Sequence, residues 1–212
     1  MSNDLIPILC FGAGGHAAVV ESAVIKGGEF FIVGFVDDNV DKGVKLIHAE
    51  VIGGREELPK FLENNIYKMH IAVGDNHTRQ KITNNMINAG FEVITLAHPT
   101  AITEIKSEIG DGCFLAARSV VGARAKVGNG CIINTSAVVE HDCVVEDFVH
   151  ICPGARLAGD VKVGENTMIG TGAVVIPGIS IGKNCVIGAG AVVIKDVKDN
   201  VKIVGNPGRV II

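Results

Sequence analysis

Residues 127–169 read VGNGCIINTSAVVEHDCVVEDFVHICPGARLAGDVKVGENTMI, and an aliphatic residue returns at every sixth position of this stretch. The series continues without a gap in both directions, from Ile109 to Val193, and comprises fifteen Ile, Leu or Val residues. Four residues after each of them, from Cys113 to Val197, stands a residue that is small or β-branched. Neither an amphipathic helix, with a period of about 3.6 residues, nor an alternating strand, with a period of about two, produces this spacing.

A strict period of six predicts a solenoid of short strands and tight turns. Three hexapeptides form one triangular coil, so that residues 18 positions apart stack in columns. The aliphatic residue fills the interior of this prism, and the fifth residue of each repeat must be small because it lies near a corner. Gly or Asn in the turns is expected to supply the positive φ angles needed there. Residues 103–198 comprise sixteen such hexapeptides.

The aromatic residues divide the chain into two parts. Seven of the nine precede Pro99, and only Phe114 and Phe148 follow it. A narrow prism has no room for wide side chains, which explains why the second part has so few. We therefore expect a first domain at residues 1–98 and a prism domain at residues 99–212.

The first domain has the element order of a dinucleotide-type βαβ unit. An apolar strand, Ile6–Phe11, leads into a glycine loop at residues 12–16, a helix is expected over residues 17–26, and a second strand, Phe30–Val36, ends in two acidic residues. A third strand is expected over residues 69–73. Glycines let backbone N–H groups approach a ligand, a helix N-terminus favours an anion, and a carboxylate after the second strand accepts hydrogen bonds from a ribose or a base. The order predicts a Rossmann-like nucleotide-binding domain.

Composition and length exclude several classes of function. A net charge of −4, with 20% charged residues, gives no basic field for nucleic acid or a membrane surface. No apolar run approaches the roughly 18 residues of a transmembrane helix. Residues 1–4 lack the basic segment of a secretory signal, which predicts a cytoplasmic protein. A NAD-dependent oxidoreductase is disfavoured because fewer than about 100 residues precede the prism, too few for a second mononucleotide-binding half.

The cysteines have a structural explanation. Six in 212 residues do not suggest a disulfide framework, and none belongs to a CxxC pair. Four occupy the small fifth position and are expected to fill the prism core. A zinc cluster of His141, Cys143, His150 and Cys152 is an alternative, but the register points Cys143 inward and His141 outward. We therefore expect no metal.

The sustained hexapeptide pattern resembles the left-handed parallel β-helix of the hexapeptide-repeat acyltransferases, which are typically homotrimers that use acetyl-CoA at sites between neighbouring prisms. A glycine loop at 12–16, acidic residues at 37–38 and residues 74–76, joined to such a prism, are similar to one subfamily, the nucleotide-sugar acetyltransferases of bacterial surface-glycan pathways. Within the prism, the stretches 133–143, 153–159 and 204–207 carry the similarity. The left hand of the helix is implied by this resemblance and not by the period.

His141 is the candidate catalytic base. It stands in a predicted turn and is followed directly by a carboxylate, Asp142. Acetyl transfer to an amine needs a group that takes the proton of the nucleophile, and imidazole titrates near neutral pH. A neighbouring carboxylate orients the ring and stabilises the imidazolium. The resemblance gives both residues these roles and makes the backbone N–H of Gly159, one coil later in the same column, the candidate oxyanion donor.

The resemblance also implies the binding residues. His150, Thr171 and Ala189 match acetyl-CoA contacts, and the last two are 18 positions apart, in one column. Six positions match sugar-nucleotide contacts: Gly14, Gly15, His16, Asp37, Asp38 and Gly74. For His16, a purely structural role as a helix cap stays open. The remaining histidines carry no motif and are expected at surface or structural positions: His48, His70, His77 and His98.

The function that the resemblance implies is acetylation of the 4-amino group of a UDP- or GDP-linked 4-amino-4,6-dideoxy sugar, as in the bacillosamine and perosamine routes. The acetyl donor is acetyl-CoA, and direct attack is expected because no serine or cysteine nucleophile stands out. O-acetylation of a sialic acid is one alternative. A non-catalytic prism that only binds nucleotide sugars is another. In each case we expect a homotrimer.

Overall fold

The structure is a computed structural model that describes residues 5–211. The chain divides into two compact units between Pro99 and Thr100. Residues 1–4, on which the expectation of a cytoplasmic location rests, lie outside the described residues. Across residues 5–211, no helix is long and apolar enough to cross a bilayer.

The first unit is built from short strands and three helices. Its elements are β1 (Ile6–Phe11), α1 (Gly15–Gly27), β2 (Phe30–Val36), β3 (Val51–Gly53), a 3₁₀ turn (Arg55–Glu57), α2 (Leu58–Glu63), β4 (Lys68–Ile71), α3 (Asn76–Asn88), β5 (Glu92–Val93) and β6 (Leu96–Ala97). Strands β1 to β5 form one parallel sheet in the order β3-β2-β1-β4-β5. The predicted βαβ order is confirmed, although α1 begins two residues earlier than expected and β4 ends two residues earlier.

The order of this sheet creates a crevice. The chain moves outward from β1 through β2 to β3, then returns to the other side of β1 to form β4 and β5. The direction of winding therefore reverses between β1 and β4, and open α/β sheets bind ligands at such reversals, beyond the carboxyl ends of the strands. The central residues of β1, Ile8, Leu9 and Cys10, are fully buried, as expected of a parallel strand covered on both faces.

A buried carboxylate shapes the loop between β2 and β3. Glu21, on α1, is 2% exposed and accepts hydrogen bonds from the backbone N–H groups of Ile47, His48 and Ala49 at 2.7–2.8 Å. These three donors offset the cost of burying the charge. Glu21 thereby fixes the return of the loop towards β3.

The second unit consists of two-residue strands, one in each hexapeptide, followed by a short hairpin. The strands are β7 (Ile102–Thr103), β8 (Glu108–Ile109), β9 (Phe114–Leu115), β10 (Val120–Val121), β11 (Lys126–Val127), β12 (Ile132–Ile133), β13 (Val138–Val139), β14 (Val144–Val145), β15 (His150–Ile151), β16 (Arg156–Leu157), β17 (Lys162–Val163), β18 (Met168–Ile169), β19 (Val174–Val175), β20 (Ser180–Ile181), β21 (Val186–Ile187), β22 (Val192–Val193), β23 (Lys202–Val204) and β24 (Arg209–Ile211).

These strands form the three faces of a triangular prism. The first face has the order β22-β19-β16-β13-β10-β7, the second β20-β17-β14-β11-β8, and the third β23-β21-β18-β15-β12-β9, with β24 antiparallel to β23. Each strand from β7 to β19 pairs in parallel with the strand three further along, and the paired residues are 18 positions apart, as in Val120 with Val138. The predicted coil and its columns are confirmed.

The interior of the prism is filled as the period predicts. The inward aliphatic residues are almost fully buried, with Ile133, Ile151 and Leu157 at 0% exposure. All four cysteines of the fifth position lie in the same core: Cys113, Cys131, Cys143 and Cys185. Their assignment as core residues is confirmed.

The turns differ from expectation in composition. One residue in every six, from Lys106 to Gly190, has a positive φ angle, but seven of these fifteen positions are neither Gly nor Asn. The left-handed conformation costs an ordinary residue roughly 1–2 kcal/mol. At five of these seven positions the backbone N–H donates to a carbonyl of the preceding coil, as from Phe148 to Asn129 at 2.8 Å. This ladder compensates for the strain, and so the turns tolerate many side chains.

Candidate active site

The turn at 141–142 lies at the corner of the prism between the first and second faces. It connects β13 to β14 and places His141 in one column with Ala123, Gly159 and Pro177. The side chain of His141 is 59% exposed, whereas Cys143, two residues later, is fully buried. The predicted outward position of His141 is confirmed, and the alternative zinc cluster is wrong. Throughout residues 5–211, no group of three His, Cys, Asp or Glu residues is arranged to hold a metal ion.

Asp142 orients the imidazole of His141. The Nδ1 atom of His141 lies 2.8 Å from Oδ2 of Asp142. Because a carboxylate only accepts hydrogen bonds, this contact assigns the proton to Nδ1 and leaves Nε2 with a free lone pair. The ring is thereby prepared to accept a proton at Nε2.

Arg124, which sequence analysis did not single out, holds Asp142 from the preceding coil. Its Nε donates to Oδ1 and its Nη2 donates to Oδ2, each at 2.7 Å. These hydrogen bonds, followed by the one from His141, hold the pKa of the Asp142 carboxyl well below its usual range. Asp142 is therefore ionised at any pH at which the protein works. The sequence carried a signal for this ion pair, because Arg124 stands 18 positions before Asp142 and has the opposite charge.

Gly159 lies directly against the imidazole. A Cβ atom at this position would stand 2.5 Å from Cε1 and 2.6 Å from Nε2 of His141, so any other residue would displace the ring from its observed position. The N–H of Gly159 donates to no other protein group in the part of the chain that the structure describes. A backbone donor without an internal partner, next to the candidate base, has the properties required of an oxyanion donor.

Neither Cys143, beside this corner, nor Cys152, beside Pro153 at another corner, offers a nucleophile. Burial raises the pKa of the thiols of Cys143 and Cys152 to about 11. The thiolate is the reactive form of cysteine, and at neutral pH these groups are almost entirely protonated. A covalent acyl-cysteine route through either residue is therefore unfavourable.

His150 lies in β15 on the third face. Its Nε2 is 3.0 Å from Nδ2 of Asn134, while Oδ1 of Asn134 accepts the N–H of Thr135 at 2.8 Å. The second contact fixes the orientation of the amide, so Asn134 donates and Nε2 of His150 accepts. The Nε2 atom of His150 thus accepts a hydrogen bond within the protein, whereas Nε2 of His141 keeps a free lone pair.

The other two residues matched to acetyl-CoA lie on a different edge of the prism. Thr171 and Ala189 are exposed and stack in one column with Pro153, at the corner between the third and first faces. The structure brings these two residues together, as expected. Within one chain, however, the edge that carries them is not the edge that carries His141.

The first unit contains a cleft of about 380 Å³ beyond the carboxyl ends of β1, β2 and β4. Phe11 and Gly12 of the β1 end line it, together with Asp37 and Asp38 after β2 and Val73 after β4. This is the crevice that the reversal of strand order creates. It is the candidate nucleotide site.

Both acidic residues of the cleft are engaged within the protein. Asp37 accepts the backbone N–H groups of Ala13 at 2.8 Å and Asn39 at 2.9 Å, so it ties the glycine loop to the end of β2. Asp38 forms a bidentate pair with Arg55, and the hydrogen bonds of that guanidinium lower the pKa of the Asp38 carboxyl. Each carboxylate retains lone pairs that can accept hydrogen bonds from a ligand.

The glycines of the loop have different tasks. Gly12 has a φ of 101°, and a Cβ there would stand 2.9 Å from the carbonyl oxygen of Ala72, so this glycine permits close packing of two loops. Gly14, Gly15 and Gly74 would each have open space around an added Cβ. Gly14 is the N-cap of α1, and His16 lies in the first helical turn. The alternative that His16 caps the helix is therefore wrong.

Sequence analysis missed most of the polar side chains of the cleft. Thr78, Lys81 and Asn85 line it from one face of α3, and Arg55 lines it from the 3₁₀ turn. Their spacing of three and four residues along α3 was a detectable signal. Arg79 on the same helix is buried and donates to the carbonyls of Val73 and Gly74, which fixes the loop.

The histidines without a motif are placed as expected. His70 is 1% exposed, and burial lowers its pKa to about 4, so it is a neutral core residue. His48 and His77 are exposed and His98 is half-buried. Burial, followed by the charge of Lys26, lowers the pKa of His98.

Comparisons with known proteins agree with both units. The family model for the PglD N-terminal domain matches residues 7–86, and the model for the bacterial transferase hexapeptide (six repeats) matches residues 106–141 and 160–195. No curated protein sequence matches the chain significantly.

Three solved structures are similar over nearly their whole length. A perosamine N-acetyltransferase from Caulobacter crescentus, a variant with a histidine replaced by asparagine in complex with CoA and GDP-perosamine, has 34% identity and a TM-score of 0.93 and covers 99% of each chain. The acetyltransferase domain of PglB from Neisseria gonorrhoeae FA1090 has 35% identity and a TM-score of 0.90, over 97% of this chain and 99% of that one. WeeI from Acinetobacter baumannii AYE has 27% identity and a TM-score of 0.86, over 97% and 100%.

The fold, together with the similar structures that hold CoA or acetyl-CoA, defines an acetyl-CoA-dependent acyltransferase with a left-handed parallel β-helix. Similarity at 34–35% identity over the whole chain then gives the family. The chain belongs to the hexapeptide-repeat sugar N-acetyltransferases that carry a PglD-type N-terminal domain.

The contact between His141 and Gly159 generates a prediction. In Gly159→Ala, the new methyl group displaces the imidazole, and turnover should fall by about 10- to 100-fold, since a misplacement of about 1 Å can cost 100-fold. Steady-state kinetics with acetyl-CoA and the sugar substrate measure the effect. Gly27→Ala is the matched control, because a Cβ there meets no atom within 4 Å. Wild-type turnover in Gly159→Ala would show that the observed position of the ring is not needed.

Proposed function

We propose that this enzyme transfers the acetyl group of acetyl-CoA to the 4-amino group of a UDP- or GDP-linked 4-amino-4,6-dideoxy sugar, in the cytoplasm, for a bacterial surface glycan. The observation that carries the proposal is the His141–Asp142 pair packed on Gly159. Support for the substrate class comes from the similar perosamine N-acetyltransferase, which was crystallised with CoA and GDP-perosamine.

His141 acts as the general base in this mechanism. Its Nε2 accepts the proton that the 4-amino nitrogen loses as the nitrogen bonds to the acetyl carbon. Asp142 stabilises the imidazolium, and the ring then returns the proton to the sulfur as the carbon–sulfur bond breaks. The N–H of Gly159 donates to the acetyl oxygen, on which negative charge develops; such donors contribute about 2.7–4 kcal/mol.

The cleft of the first unit takes the nucleotide in this proposal. The open space at Gly14, Gly15 and Gly74 lets a diphosphate approach the N-terminus of α1, where backbone N–H groups favour an anion. Arg55 and Lys81 add positive charge to the same cleft. His16, in the first turn of α1, and the remaining lone pairs of Asp37 and Asp38 are the further groups offered to the sugar nucleotide.

His150, Thr171 and Ala189 hold acetyl-CoA in this proposal. Thr171 and Ala189 form an exposed column along which a pantetheine chain can lie. Because that column and His141 occupy different edges, we propose a homotrimer in which one chain supplies the column and its neighbour supplies His141. A prism edge alone does not enclose a long acyl carrier, and a neighbouring prism supplies the second wall.

A panel of acceptors tests the substrate class. Release of free CoA thiol is measured with acetyl-CoA and UDP- or GDP-linked 4-amino sugars, or sialic acid. We expect release with at least one 4-amino sugar nucleotide and none with sialic acid. Release of CoA only with sialic acid would establish O-acetylation. If no acceptor of the panel causes release of CoA, but nucleotide sugars still bind, the protein is a binding scaffold. Either result would contradict the proposal.

Three variants test the residue roles. His141→Ala should lower kcat by about 10²–10⁴-fold, the usual contribution of a general base, with little change in substrate affinity. Asp142→Asn should cost less, because it removes only orientation and charge stabilisation. His150→Ala should raise KM for acetyl-CoA. Wild-type kcat in His141→Ala, together with a kcat defect in His150→Ala, would mean that the base is wrongly assigned.

Light scattering and mixed trimers test the assembly. Light scattering should give three times the chain mass of 22.1 kDa. His141→Ala and Thr171→Trp should each be nearly inactive alone. When equal amounts of the two variants assemble at random, one site in four combines an intact His141 from one chain with an intact Thr171 column from its neighbour. The mixture should therefore regain about a quarter of wild-type activity. A fully active monomer, or a mixture without regained activity, would contradict a site shared between chains.

A further inference from the structure

We propose that Arg124 is a positioning residue of the acetyl transfer, acting through Asp142 on His141. The inference rests on the proposed role of His141 as the base. It adds to the site a residue from the coil that precedes His141 and Asp142. Arg124 touches neither substrate in this scheme, and its contribution is to fix the carboxylate that orients the base.

The geometry of the Asp142 carboxylate carries the proposal. Both of its oxygens are held by Arg124, Oδ1 by Nε and Oδ2 by Nη2, and Oδ2 is also the atom that contacts Nδ1 of His141. A planar guanidinium that binds both oxygens sets the plane of the carboxylate as well as its position. Without this fork, a side chain that is 38% exposed can rotate and lose its contact with the ring.

The backbone explains why these two side chains meet. Arg124 and Asp142 are 18 positions apart and occupy equivalent turn positions of consecutive coils, both with φ near 60°. The N–H of Asp142 donates to the carbonyl of Ala123 at 3.1 Å, so the ladder joins the two turns directly beside the ion pair. The side chains therefore start from adjacent points of one column, and little conformational freedom is lost when they pair.

The experiment compares Arg124→Gln with Arg124→Lys. In Arg124→Gln, kcat should fall by about two- to fivefold, the range that exposed ion pairs give. In Arg124→Lys the charge remains but the fork is lost, so kcat should stay reduced. KM for both substrates should change little.

Lys126→Gln is the matched control. Lys126 forms a comparable ion pair with Glu108, 18 positions earlier and at 3.1 Å, so the variant removes the same charge from the same coil without affecting Asp142. We expect wild-type kinetics. An equal loss in Lys126→Gln, or a wild-type kcat in Arg124→Gln, would overturn the proposal. Arg124 is largely exposed, so its variants should fold, and circular dichroism checks this.

The His141→Ala background separates this proposal from the function on which it rests. If Arg124 acts through the base, Arg124→Gln should have no further effect in an enzyme without His141. A further two- to fivefold loss in the double variant would mean that Arg124 acts by another route. Wild-type activity of His141→Ala alone would instead remove the proposed base, a result that the Arg124 variants cannot produce.

Discussion

The backbone ladder between consecutive coils fixes nearly everything else in the second unit. Each coil donates N–H groups to the next at a constant offset, so a residue is always placed over the one 18 positions before it. This constraint packs His141 on Gly159 and sets Arg124 beside Asp142. The active turn needs no special loop of its own. The side chains of this turn are positioned by the repeating scaffold, in which each coil is held by its neighbours.

The fold was readable from the sequence because the repeat gives every coil the same environment. An aliphatic residue at each sixth position identified the interior, and the small residues identified the corners. The turn conformation could not be predicted in the same way. Arg124, Asp142 and Phe148 adopt positive φ angles because hydrogen bonds between coils compensate for the strain, and the local sequence does not reveal those hydrogen bonds. The period also placed Arg124 and Asp142 in one column, but it did not show that their outward side chains pair.

The sites differ in how far the sequence could define them. His141 was proposed as the base because a histidine followed by a carboxylate in a turn is chemically conspicuous, and the resemblance pointed to the same residue. In the first unit, Asp37 and Asp38 were expected to accept hydrogen bonds from a ligand, and the sequence did not show that Ala13, Asn39 and Arg55 satisfy part of their hydrogen-bonding capacity. Such partners lie 17–24 positions away or follow from a loop conformation, and sequence spacing does not reveal them.

The exposure of His141 in the single chain has a consequence for catalysis. A side chain that is 59% exposed is solvated, and water weakens both its hydrogen bond to Asp142 and any donor to a developing oxyanion. The backbone ladder already positions His141, Asp142 and the N–H of Gly159. A single chain therefore has the required geometry, but it does not exclude water from the turn. In the proposed trimer, bound substrates and a neighbouring prism exclude water by covering the corner. Under the proposed role of His141, the prism therefore prepares the geometry of the base in advance, and the strength of its electrostatic interactions depends on closing the site.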